Sequence, residues 1–145
     1  MKIYDLADWF LSKETMTHKK LQKLCYYAEA WSCALFNRGL IEDSHFEAWV
    51  HGPVSPELYQ KYKDFYWMNI PSQTFENTLT EEENDLLESV WLTYGDKSAN
   101  ELEGLTYTET PWCNARSGLS PNEQSHNIIK FEDMRDFYRS IYIGD

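Results

Sequence analysis

The sequence predicts a mainly α protein, a compact helical domain built on one long central helix with a small two- or three-stranded β element. Three observations carry this expectation. The stretch after Thr17 holds the longest apolar stripe of helical period in the chain. Two Ser/Thr-x-x-Glu boxes, Thr80 with Glu83 and Ser98 with Glu101, open further helical patterns. Period-two alternation is clear in one segment, "HFEAWVH" at 45–51, with a weaker strand signal at 127–129. The 145 residues read as a single domain, 1–145, with no repeat, low-complexity tract or linker.

The first helix is expected at about Tyr4–Leu11, with Leu6, Ala7, Phe10 and Leu11 on one side. Thr17 caps the long helix, whose stripe runs through Leu21, Leu24, Cys25, Ala28, Trp31, Ser32, Leu35 and Phe36, and Gly39 is its expected stop. As a strand, 45–51 places His45, Glu47, Trp49 and His51 on one face and Phe46, Ala48 and Val50 on the other. Gly52-Pro53 is read as its end. Ser55 then caps a helix with Pro56 at the first position, where a missing N–H is harmless. A loop with little pattern spans about 67–79. The helix behind Thr80 carries Leu86, Leu87, Val90, Trp91 and Tyr94. Behind Ser98, Leu102 and Leu105 continue the pattern. Thr110-Pro111 opens a short turn, and Phe131, Met134, Phe137, Tyr138 and Ile141 define a final helix.

Charge and composition narrow the function. A net charge of -11 argues against nucleic-acid binding, which needs Lys and Arg to neutralise phosphate, and favours a basic partner. Six Trp, ten Tyr and seven Phe are more than a small core readily hides, and they are equally consistent with an aromatic-rich core and with an exposed aromatic face. No secretory signal and no apolar run of about 18 residues is visible, so membrane association is not expected. With three cysteines, an odd number, the expectation is reduced thiols in the cytoplasm.

The search for chemistry returns little. On a strand, His45 and His51 would stand about 20 Å apart, too far for His45, Glu47 and His51 to share an ion. Cys25 and Cys33 lie two helical turns apart, and with Cys113 they read as small core residues. No phosphate loop, HExxH or CxxC occurs, and no cofactor is implied. The expectation is an interaction domain and not an enzyme. A small metal-dependent or Cys/His hydrolase using His45, His51 and a cysteine stands as the alternative of a different class.

Lys19, Lys20 and Lys23 crowd the first turns of the long helix, the end whose dipole disfavours cations. An internal ion pair between Lys20 or Lys23 and Glu47 would account for them.

Three stretches resemble one family. "LQKLCYYAEAWSCALFNRGLIEDSHFEAWVHGPVSPELY", "WLTYGDKSANELEGLTYTETPWCNAR" and "IIKFEDMRDFY" are similar to the Panacea, or SocA-like antitoxin, domain, including phage-associated members. The family's histidine after "LT" is here Tyr107. The resemblance implies a bacterial or prophage antitoxin, encoded beside a toxin that it neutralises by direct binding, without catalysis. In one branch it implies instead an adaptor that delivers the toxin to an AAA+ protease. On that footing Trp49, His51, Tyr59, Tyr107 and Trp112 are candidate partner-binding residues, and Gly52, Pro53 and Pro56 form a structural corner that holds them.

Overall fold

A computed structural model describes residues 1–143 of the protein. Helix α1 (Ile3–Lys13) leads to α2 (His18–Phe36), strands β1 (Glu47–Trp49) and β2 (Gly52–Val54), and α3 (Pro56–Tyr62) with a single 3-10 turn (Lys63–Phe65). Then follow α4 (Glu81–Tyr94), α5 (Ala99–Tyr107), α6 (Thr110–Ala115) and α7 (Phe131–Ile143). The protein is mainly α, as the sequence predicts.

Helix α2 is the axis of the fold. It packs most extensively on α7 and also touches α1, α3, α4, α5 and β2. Being enclosed on several sides, it buries more than one stripe: Leu21, Leu24, Cys25 and Ala28, but also Tyr26, Tyr27 and Ala30. Thr17 accepts from the Lys20 N–H at 3.3 Å, as predicted. The stop is not Gly39. Asn37 takes the left-handed conformation (φ 57°), a role asparagine tolerates, and its N–H donates to Cys33 O. Gly39 lies where a β-carbon would meet the Glu29 carboxylate at 2.8 Å. That carboxylate accepts from the Leu40 and Ile41 N–H groups at 2.6 and 2.9 Å and ties the 39–42 loop to α2. Burial pushes its pKa up.

The predicted seven-residue strand is instead a tight antiparallel hairpin. Glu47 pairs with Val54, Ala48 with Pro53 and Trp49 with Gly52, around a turn at Val50-His51. Gly52-Pro53 therefore belongs to the second strand and does not end the first. Neither Val50 nor His51 adopts positive φ, so the left-handed residue of the turn falls on Gly52 (φ 109°). Pro53 stands opposite Ala48, whose N–H points outward to Asn127 O at 2.9 Å, so the missing proline N–H deprives the ladder of nothing. On that outer side 127–129 lies along β1 as an isolated bridge, with Ile129 N–H on Phe46 O.

Both capping boxes form in full, at Thr80–Glu83 and Ser98–Glu101. Ser55 accepts from the Leu58 N–H with Pro56 at the start of α3. Gln22, buried in α2, exchanges two hydrogen bonds with the Ser55 backbone at 2.8 and 3.0 Å and so joins the hairpin exit to the axis helix. Within the core, Glu109 accepts from the Tyr27 and Tyr138 hydroxyls at 2.7 and 2.8 Å, and Tyr26 stands 3.1 Å from Tyr138. Cys25 and Cys33 are buried, but Cys113 is exposed, because α6 is a single short surface turn that buries only Pro111. No helix among the described residues is long and apolar enough to cross a membrane.

Candidate partner-binding site

The lysines at the start of α2 have three different fates. Lys20 donates to Gly95 O at 2.7 Å and so serves the C-terminal end of α4, where a cation is favoured. Lys19 pairs with Glu103 and donates to Asn100 at 3.0 Å, joining α2 to α5. Lys23 is 2% exposed, and its ammonium donates only to Pro53 O, at 3.3 Å. Burial lowers its pKa to about 7. Glu47 meets none of them, so the expected ion pair between Glu47 and Lys20 or Lys23 does not form.

Glu47 instead faces away from α2, because strand alternation sends Ala48 toward the core and Glu47 to the other side. Its carboxylate accepts from His45 at 2.7 Å, Trp49 at 2.9 Å and His126 at 3.0 Å. Burial alone would raise its pKa, but these three donors outweigh burial and hold it below the usual range. Among the described residues no group of three or more His, Cys, Asp or Glu is arranged to hold a metal ion. His51, expected on the same strand face as His45, sits in the turn and lies 3.4 Å from Glu103.

The five predicted partner-binding residues gather around the hairpin but do not act alike. Trp49, His51 and Tyr59 line one cavity of about 710 Å³. The Trp49 and Tyr59 rings meet edge to face at 4.9 Å. Tyr107 and Trp112 do not line it. The Tyr107 hydroxyl donates to Val50 O at 2.9 Å and lies against Glu103, and the Trp112 indole donates to Trp49 O at 2.9 Å. These two rings, 4.7 Å apart, hold the hairpin backbone. Arg116 adds a third brace: nearly buried, it donates to Ala48 O at 3.0 Å and to Glu123 O at 2.5 Å. Glu103 joins Lys19, Tyr107 and His51; burial pushes its pKa up, but the hydrogen bonds from Lys19 and Tyr107 prevail and lower it.

The outer wall of the cavity comes from Tyr66 and Trp67, which follow the 3-10 turn. They are 63% and 83% exposed, and Met68 beside them is 57% exposed. Tyr66 is held at φ 55°, a backbone region that bulky residues avoid. Trp67 and Met68 fall at the start of the loop expected at 67–79, and the run Phe65-Tyr66-Trp67-Met68 is a sequence signal in itself, four large apolar residues with no periodicity that would assign them to the core. His126, Glu103 and Arg116 give no such signal, since their contacts to the hairpin reach across 79, 52 and 68 positions.

A family model described as Antitoxin SocA-like, Panacea domain, matches residues 21–113. The chain belongs to this family. The matched stretch runs from Leu21 on α2 to Cys113 on α6 and takes in the hairpin, α3, α4 and α5. Helices α1 and α7 fall outside it, including the third stretch whose resemblance was read from the sequence. No curated protein and no solved structure matches the chain. In this Panacea domain the family histidine position, Tyr107, is a hydrogen-bonding brace of the hairpin. Most of the cavity lies within the matched segment, with Thr17, His18, Lys19 and Gln124 contributed from outside it.

Proposed function

We propose that this Panacea domain is the antitoxin of a toxin–antitoxin pair and neutralises its cognate toxin by direct binding, without catalysis. The observation that carries the reading is the aromatic cavity at the hairpin. Membership of an antitoxin family gives the general role. The exposed Tyr66-Trp67-Met68 segment over a preformed cleft supplies the anchor-and-pocket arrangement in which binding energy concentrates. Trp49, His51 and Tyr59 act from the inner wall, and Tyr107, Trp112 and the Gly52-Pro53-Pro56 corner keep that wall in place. The exposed carboxylates of α4, Glu81, Glu82, Asp85 and Glu88, give a negative field that steers a basic toxin body.

Co-expression with the product of the adjacent gene tests this. The neighbour alone arrests growth, the pair does not, and the two proteins co-purify. Protection that persists in cells lacking AAA+ protease activity identifies neutralisation by binding, whereas protection lost there identifies the proteolysis adaptor. A neighbour that is harmless alone, or that never associates with this chain, overturns the reading.

A further inference from the structure

In a chain of 24 Asp and Glu against 13 Lys and Arg, no carboxylate lines the cavity among the described residues. Its polar lining includes Lys19, Lys23, His18 and His51 with neutral amides, and its walls are aromatic. The first turns of α2 and α5 both open onto it, at His18 and at Ala99-Asn100, and helix N-termini favour negative charge. On the floor, Lys23 is 98% buried, makes one long hydrogen bond, and enters no ion pair among the described residues. A buried ammonium with two idle donors is an expensive arrangement unless something fills it. The nearest compensating carboxylate, Glu103, is already engaged by Lys19, Tyr107 and His51. At about 710 Å³ the cavity falls in the range of roughly 300–1,000 Å³ typical of ligand sites.

We propose that this cavity is a carboxylate-binding site, and that its occupant is an acidic peptide segment of the partner that sets a carboxylate on Lys23 and an adjoining apolar side chain among Trp49, Tyr59 and Trp67. The choice of a partner segment rests on the antitoxin reading above. The charge pattern supports it: a local positive floor inside a negative surface fixes one register for a basic partner carrying an acidic tip. The titratable and charged groups that act with Lys23 are His18 and Lys19 from α2 and Glu103 from α5, and His51 from the hairpin lines the same cavity. Burial lowers the pKa of both Lys23 and His18, Lys23's charge lowers that of His18 further, and Glu103 opposes the shift at Lys23 without cancelling it. An entering carboxylate adds negative charge and draws protons onto these groups.

N-acetyl-phenylalanine is the probe, with its uncharged amide and phenethylamine as controls. Binding is read from the indole N–H signals of Trp49 and Trp67. The carboxylate binds about tenfold or more tightly than the amide, phenethylamine does not bind, and Lys23→Met abolishes the preference while Lys23→Arg keeps part of it. At pH 7.5 binding takes up protons, measured by calorimetry in buffers of different ionisation enthalpy. Equal binding of acid and amide, or an unchanged preference in Lys23→Met, overturns the carboxylate site. If the carboxylate binds through Lys23 yet folded Lys23→Met still neutralises the toxin, the occupant is not a partner segment. If carboxylate binding holds while the wild-type chain protects against no neighbouring toxin, the antitoxin reading fails and the site remains.

Discussion

A β-carbon on Gly52 would stand 2.7 Å from the Lys23 ε-carbon and 3.2 Å from its Nζ, so the glycine and the buried lysine occupy their places only together. The turn needs a residue with φ 109° at this point, and the lysine stem needs the space that a side chain would fill. Gly52→Ala therefore meets both a conformational and a steric penalty. It destabilises the protein by about 2–4 kcal/mol in urea unfolding. Combined with Lys23→Ala it loses less than the sum of the two single changes, because only the steric part is relieved. Full additivity would show that the two residues do not contact.

Lys23 makes stability depend on pH in a predictable direction. Its folded pKa is about 7, against 10.5 for an ordinary lysine. Between these values the unfolded chain binds the additional proton, so this group's contribution to stability rises with pH across that window, and its full penalty is present below it. Lys23→Met removes that penalty. The variant is more stable than wild type by a few kcal/mol at pH 6, and the gap narrows as pH rises toward 10. The difference between the two chemical-denaturation profiles measures this directly.

Glu47 and Glu109 are buried carboxylates with opposite pH signatures. Glu47, with His45, Trp49 and His126 as donors, has a lowered folded pKa, so its stabilisation is present above the ordinary carboxylate range and disappears as pH falls through the folded value. Glu47→Gln loses about 1 kcal/mol at pH 7 and converges with wild type in acid. Glu109 has a raised folded pKa, because burial outweighs the Tyr27 and Tyr138 hydroxyls. Its contribution declines as pH rises from the ordinary carboxylate range through the raised value, so Glu109→Gln gains on wild type toward neutrality.

Leaving the tyrosine hydroxyls without an acceptor is a different matter. Glu109→Leu strands the fully buried Tyr27 hydroxyl and leaves Tyr138 only Tyr26 as a partner, and it destabilises by about 1–3 kcal/mol at every pH where the protein folds. Thermal melting of the Gln and Leu variants side by side separates the charge from the hydrogen bonds.

Trp67, 83% exposed, contributes little to folding. Trp67→Ala leaves stability within about 0.5 kcal/mol of wild type, while toxin neutralisation weakens at least tenfold in a co-expression titration. Unchanged neutralisation would move the partner surface away from the cavity.

Local signals were legible where a structure is closed by residues three or four apart. The capping boxes at Thr80 and Ser98 and the Ser55-Pro56 start follow from backbone groups satisfied by near neighbours, and the period-3.6 stripe located α2, though Leu35 at its end is 45% exposed. The hairpin was half legible. Alternation put Glu47 and Trp49 on one face, but the turn was hidden because Val50 and His51 carry no Asn-Gly or Asp-Gly signature and the positive φ falls one residue later, on Gly52.

The sequence by itself determined the helical class, most helix starts, the family and the aromatic character of the hairpin, since all of these rest on short-range periodicity and motif order. Only the tertiary structure decided that Lys20 serves a helix end, that Lys19 serves Glu103, that Glu47 turns to His126, and that Lys23 is left under an aromatic cavity. Those outcomes depend on which charges arrive beside one another after chain segments 30 to 84 positions apart have packed. A buried charge takes its energy from its neighbours in space, and one-dimensional spacing does not encode them.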